Sequence, residues 1–167
     1  MKDFLWKLIH NRIRCSTFFA RIPTLTNRQY CHCGAVETIE HIFFECDNSC
    51  QSQIWPFAEL LWNKMSKIKW VTPNLNLIKA IGCICISDAQ GNYKTHTTSI
   101  YQTIVMVTIW HIWKACNKMI FNNKQTHYPE MEASLRQTLC NEIRMEYGIT
   151  VPKEPFLIVQ ERIRGRL

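Results

Sequence analysis

Aspartate is scarce in this sequence. Among 167 residues only Asp3, Asp47 and Asp88 occur, far apart, and no Asp-Asp pair exists. A polymerase, RNase H or two-metal nuclease site needs convergent carboxylates for its magnesium ions, and no glutamate spacing supplies them. The chain is therefore expected to have no catalytic activity of its own. Glycine is sparse as well, five residues beside six prolines, whereas Trp, Phe, Ile and Leu are plentiful. That favours helices over a turn-rich sandwich. Long apolar runs are missing too. The best, IYQTIVMVTIWHIW at 100–113, is closed by Lys114 and Lys118 and falls short of the roughly 20 residues a spanning helix needs. MKDFLWKLIHNRIRC carries basic and polar residues through its apolar positions, so it lacks the apolar centre of a secretory signal. These gaps lead to the expectation of an intracellular chain, nuclear or cytoplasmic, with no membrane and no small-molecule substrate as partner.

What is present is a globular balance, 47% apolar and 20% charged, with charge arranged in blocks. Residues 1–30 carry six Lys/Arg against Asp3, and residues 64–128 carry eight lysines against Asp88; between them, 31–63 hold five acids and no Lys or Arg. Basic blocks of this kind, with a net charge of +7, suit a polyanionic partner. Clustered cysteines in a reducing compartment more often bind metal than form disulfides.

Apolar spacing at Leu5, Leu8, Ile9 and Ile13 predicts a first helix, and Ser16 caps a short second one that Pro23 stops. Ile54, Phe57, Ala58, Leu61, Trp62 and Met65 predict a helix over 51–67 with Pro56 in its first turn. A short helix is expected at 74–81, a loop at SDAQGNYK (87–94), and the longest helix at 98–122, apolar on most faces and hence the centre of a bundle. Pro129 opens a last amphipathic helix that Gly148 ends. GCICIS at 82–87 reads as core or strand, and FLIVQERI near the end as strand or docked helix. Three regions follow: 1–66, 67–150 and a tail, 151–167.

The stretch CHCGAVETIEHIFFEC at 31–46 concentrates the chemistry. In an extended segment Cys31 and Cys33 point the same way, and Gly34 turns the chain behind them. Thr38 caps a helix carrying His41, with Cys46 near its end. The resulting C-x-C-x7-H-x4-C is a Cys₃His set suited to tetrahedral Zn²⁺ with no position left for water, a structural rather than a catalytic site. Cys50 and His32 are near enough in sequence to stand in as ligands.

FLWKLIHNRIRCSTFFARI, CHCGAVETIEHIFFEC and the following Ile54-Trp55 resemble the zinc-binding domain found after the polymerase domain in non-LTR (LINE-type) retrotransposon reverse transcriptases. Glu37, Thr38, His41, Phe43 and Cys46 match that family's E-T-x-x-H-[hydrophobic]-F-x-x-C framework. IWHIWKACNKMIFNNK at 109–124 is similar to its I-W-x-[IL]-W-K-A-R-N segment, with Cys116 where Arg is usual. The likeness is strong over 4–62, weaker over 109–124 and absent at the tail. It implies the same four ligands, a role in holding template or target nucleic acid, and a separately encoded or truncated piece of such an element, its polymerase domain absent.

The fold expected is thus mainly α, a small Cys₃His zinc knuckle inserted between helices and followed by a helical bundle. RNA or DNA is the expected partner, with a reverse transcriptase polymerase domain as a second. Arg12, Arg14, Arg21 and Arg28 form one basic candidate, although 12 and 14 fall on opposite sides of one predicted helix. Lys64, Lys67, Lys69 and Trp70 form the other, where cations meet an exposed aromatic; the remaining tryptophans sit at core spacing, and RIRGR at 162–166 offers a basic tail. His111 reads as a satisfied core histidine. A Cys33–His41 nucleophile pair lacks an oxyanion motif. The competing class of function is a structural or protein-interaction module whose apolar helices dock on the missing polymerase domain; a non-functional remnant is the third reading.

Overall fold

In the computed structural model, which describes residues 1–148, helices form where the apolar spacing predicts them. They are α1 (Lys2–Ile9), α2 (Ser16–Phe19), α3 (Gln51–Met65), α4 (Leu75–Lys79), α5 (Thr95–Asn122) and α6 (Tyr128–Tyr147). Among the described residues no strand forms; isolated antiparallel bridges, Tyr30 with Val36 and Ser87 with Tyr93, close two loops. The chain is therefore mainly helical, with a Cys/His cluster between helices and a helical bundle after it. FLIVQERI and RIRGR lie outside the described residues.

α5 is the central helix. Its 28 residues span about 42 Å at ~1.5 Å per residue, and it buries Ile104, Val105, Ile109 and Ile112 completely or nearly so. Against it lies α6, whose Met131, Leu135, Leu139 and Ile143 repeat every four residues and are all buried, the apolar stripe of a helix with one wet face. α3 adds Ile54, Phe57, Leu61 and Trp62, and α1 adds Phe4 and Leu8, to the same hydrophobic core. No helix of the described residues is long and apolar enough to cross a membrane.

Several local expectations change. Pro56 lies inside α3 rather than in its first turn; Pro56 and Ser52 are both exposed, so the Ser52 carbonyl that proline leaves without a donor can face water. Ser16 is the first helical residue of α2 instead of its cap, and its amide donates to the Glu37 carbonyl at 2.8 Å. Cys83 and Cys85 are exposed, while Ile84 and Ile86 pack half-buried against the core, so GCICIS is an edge of the core and forms no strand. His111 is buried and bonds Thr138 at 3.1 Å. The Thr138 hydroxyl donates to Ser134 O, so it accepts from His111 Nε2–H, and burial lowers the imidazole pKa to about 4.

α1 ends in a way that bears on the site. Asn11 takes φ 53°, its amide donates to Leu8 O, and the Arg12 amide donates to Lys7 O. This paired closure is the Schellman motif with asparagine in the left-handed position. The helix stops at Ile9, and Ile13 reaches the core from the loop beyond it.

Candidate metal centre

The first two cysteines sit in a tight turn rather than an extended segment. Gly34 N donates to Cys31 O at 2.9 Å and Cys31 N to Ala35 O at 2.8 Å. Gly34 has φ +87°, a backbone that L side chains avoid. This turn is what lets a one-residue spacer deliver two thiols to one point.

His41 and Cys46 come from the other side. Thr38 Oγ1 accepts from His41 N at 2.9 Å, the expected cap. From His41 to Glu45 the chain winds as a π-type turn, and Cys46 N donates to His41 O at 2.8 Å. In an α-helix five residues rotate about 500°, leaving the ends roughly 140° apart. The wider i→i+5 turn winds less per residue and returns Cys46 toward the His41 side. The carbonyls along it are satisfied from outside: Trp55 Nε1 donates to Phe43 O at 2.9 Å, and Ser49 Oγ to Ile42 O at 3.1 Å and Cys46 O at 2.7 Å. Trp55, read from sequence only as core, is therefore also the donor that fastens this turn to α3.

The four donor atoms converge. Cys31 Sγ lies 3.4 Å from Cys46 Sγ, and Cys33 Sγ lies 3.3 Å from His41 Nε2; all four lie within 4.8 Å of one another. A tetrahedral shell with Zn–S near 2.3 Å and Zn–N near 2.0–2.1 Å has edges of about 3.8 and 3.6 Å. Donor type, number and spacing therefore fit: the group could hold a metal ion. Cys31, His41 and Cys46 are buried and Cys33 is exposed. Glu45 Oε2 lies 3.7 Å from His41 Nδ1, on the ring nitrogen that faces away from the thiols. The hydrogen bond from Cys46 pulls the Cys31 thiol far below its usual pKa, so one thiolate forms readily.

Neither alternative ligand enters. Cys50 donates to the Thr126 carbonyl at 3.2 Å, burial raises its pKa, and His32 is exposed outside the cluster.

The basic candidates separate differently from the sequence expectation. Arg12 and Arg14 are not on opposite sides of a helix, because the Asn11 closure ends α1 before them; both line one cleft between α1 and α5. Arg28 is exposed, 5.5 Å from the Phe121 ring, and Arg21 is exposed beyond α2. Lys64, Lys67 and Lys69 are exposed, but Trp70 is only 6% exposed. It fails as a surface aromatic because the segment after α3 folds back: Trp62 Nε1 donates to Ile68 O and Tyr101 Oη to Val71 O. The Trp70 ring then packs against Trp62 and Tyr101. Conversely Trp6 is 56% exposed, stacked on His10, so core spacing misplaced it, whereas Trp110 and Trp113 are half-buried and pack against the core at its edge.

No protein-family model, curated protein or solved structure matches the chain.

Proposed function

We propose that this chain is a zinc-stabilised helical domain that binds RNA or DNA through phosphate contacts and has no catalytic activity of its own. The metal half of the reading rests on the convergence of Cys31, Cys33, His41 and Cys46. A Cys₃His set fills a tetrahedral zinc shell and leaves no open position for Lewis-acid chemistry. The resemblance to the zinc-binding domain of non-LTR retrotransposon reverse transcriptases agrees with this role, and with a position beside a polymerase domain.

The binding half is carried by one observation. The ion pairs among the described residues engage Lys7, His41, Lys94, Lys118 and Arg136 and leave the exposed Arg12, Arg14, Arg21 and Arg28 without carboxylate partners. Guanidinium groups free of acids suit phosphate oxygens. Binding of this kind is electrostatic positioning with some stacking and little base readout.

Fluorescence anisotropy with labelled RNA and DNA between about 50 and 200 mM salt tests it. Affinity should fall steeply, and Arg14→Ala or Arg28→Ala should each reduce the log–log slope by about 0.7–0.9. Binding indifferent to ionic strength would overturn the reading. A chain that binds neither nucleic acid and self-associates in light scattering would favour the protein-docking module.

A further inference from the structure

The coincidence of cations and accessible aromatics expected around Trp70 occurs instead in the cleft between α1 and α5. It encloses about 480 Å³, and Phe4, Trp110, Trp113, Phe121, Arg12 and Arg14 contribute to its lining. The volume is in the ~300–1,000 Å³ range of clefts that take up ring-sized ligand groups.

Its aromatic part is held in place. Trp110 and Trp113, three residues apart on one helix face, stack at 5.6 Å between centroids and 21° between planes. The buried Phe4 ring lies 5.2 Å from each. Fixed rings cost little ordering entropy when a base stacks on them. Phe121 lies two turns further along α5, about 12 Å at ~1.5 Å per residue, and is 57% exposed.

The charge is of one sign where it is uncommitted. Lys7 and Asp3, which also line the cleft, neutralise each other at 2.7 Å. Arg12 and Arg14 have no ion pair among the described residues; Arg14 sits 5.3 Å from the Phe18 ring. Lys114, 5.6 Å from the Trp110 ring, adds a further cation beside the stack.

We infer that this cleft binds a short stretch of single-stranded nucleic acid, bases against Trp110, Trp113 and Phe121 and phosphates at Arg12 and Arg14. The inference rests on the proposed nucleic-acid binding and adds its location and strandedness. Stacking on side chains requires unpaired bases, whose ring faces a duplex keeps covered. Aromatic surface plus a cationic border is the combination that single strands use.

The test uses the zinc-loaded full chain and anisotropy with oligo(dT) and oligo(U) of roughly 15 nucleotides and a duplex of the same length, within common single-strand site sizes. Both single strands should bind at least about tenfold tighter than the duplex. Phe121→Ala, which removes an exposed side chain and leaves the core intact, should weaken single-strand binding by about fivefold to a hundredfold. Arg12→Ala with Arg14→Ala should lower the salt slope by about 1.4. Lys67→Ala with Lys69→Ala should keep the single-strand preference. Salt-dependent binding that survives Phe121→Ala and the arginine pair unchanged overturns the cleft and leaves nucleic-acid binding standing. Equal affinity for duplex, or for a poly-glutamate peptide of matched charge, also overturns the cleft assignment. No binding to any nucleic acid overturns both.

Discussion

Cys116 Sγ donates to Oε2 of Glu37 at 3.5 Å, joining α5 to the segment that leads into His41. Glu37 is 1% exposed, and its Oε1 has no hydrogen-bond partner among the described residues. Burial pushes its carboxyl up to about 7, with the Cys116 bond opposing that shift. Burial also raises the Cys116 thiol, so it stays protonated and donates. Cys116 thus meets the Glu37 carboxylate with a neutral, weak donor.

The consequence is a stability that falls with rising pH. The unfolded carboxyl loses its proton near 4.5 and the folded one near 7, so the folded state holds the extra proton between them. The stabilisation is fully present below 4.5 and is lost as pH rises through 7, an effect of order 3 kcal/mol. Glu37→Gln removes this dependence. Urea midpoints of variant and wild type should diverge in favour of the variant as pH rises from about 4.5 to 7 and run parallel above that.

Gly34 tests the turn that brings Cys31 and Cys33 together. A Cβ there would meet no atom within 4 Å, so Gly34→Ala acts only through its φ of +87°. The left-handed backbone costs an alanine about 1–2 kcal/mol. Metal affinity should fall by about tenfold while the helical circular dichroism is unchanged, as a competition titration against a chromophoric chelator would read. Unaltered affinity would mean that the turn is not what holds Cys31 and Cys33 together.

Trp70 separates core from surface. Trp70→Ala should destabilise the fold by about 3–5 kcal/mol, as truncation of a buried aromatic does, and leave nucleic-acid affinity of the folded fraction unchanged. Chemical denaturation and anisotropy together check this. Loss of affinity without loss of stability would return Trp70 to the binding surface.

The Cys31, Cys33, His41 and Cys46 cluster was readable because all four residues lie within sixteen positions and what gathers them is local: a glycine turn and a threonine cap. The long helices were readable for the same reason, from apolar spacing alone. The aromatic cleft was not, because Phe4, Trp113 and Phe121 meet only after α1 folds onto α5, and an aromatic at helical core spacing reads the same whether its outer edge is wet or dry. One local signal bears on it: Asn11 after a helical stripe is a residue that tolerates the left-handed closure, and it decides that Arg12 and Arg14 leave the helix together. Trp70 shows the reverse error, since a tryptophan in a connecting segment can plug the core as well as face water. The Glu37–Cys116 contact spans 79 residues, beyond any local pattern.

The central proposal is a closed four-residue zinc shell that stabilises the fold. Zinc stoichiometry by native mass spectrometry, on wild type, His41→Ala, Cys31→Ser, Cys33→Ser, Cys46→Ser and Cys50→Ala, tests it directly. Wild type and Cys50→Ala should each carry one tightly held zinc, and the four ligand variants should lose it. In those variants amide exchange should accelerate across 31–46, because structural zinc contributes on the order of 10 kcal/mol in small zinc-binding peptides. A wild-type chain without zinc, or His41→Ala with metal content and exchange unchanged, would contradict the account.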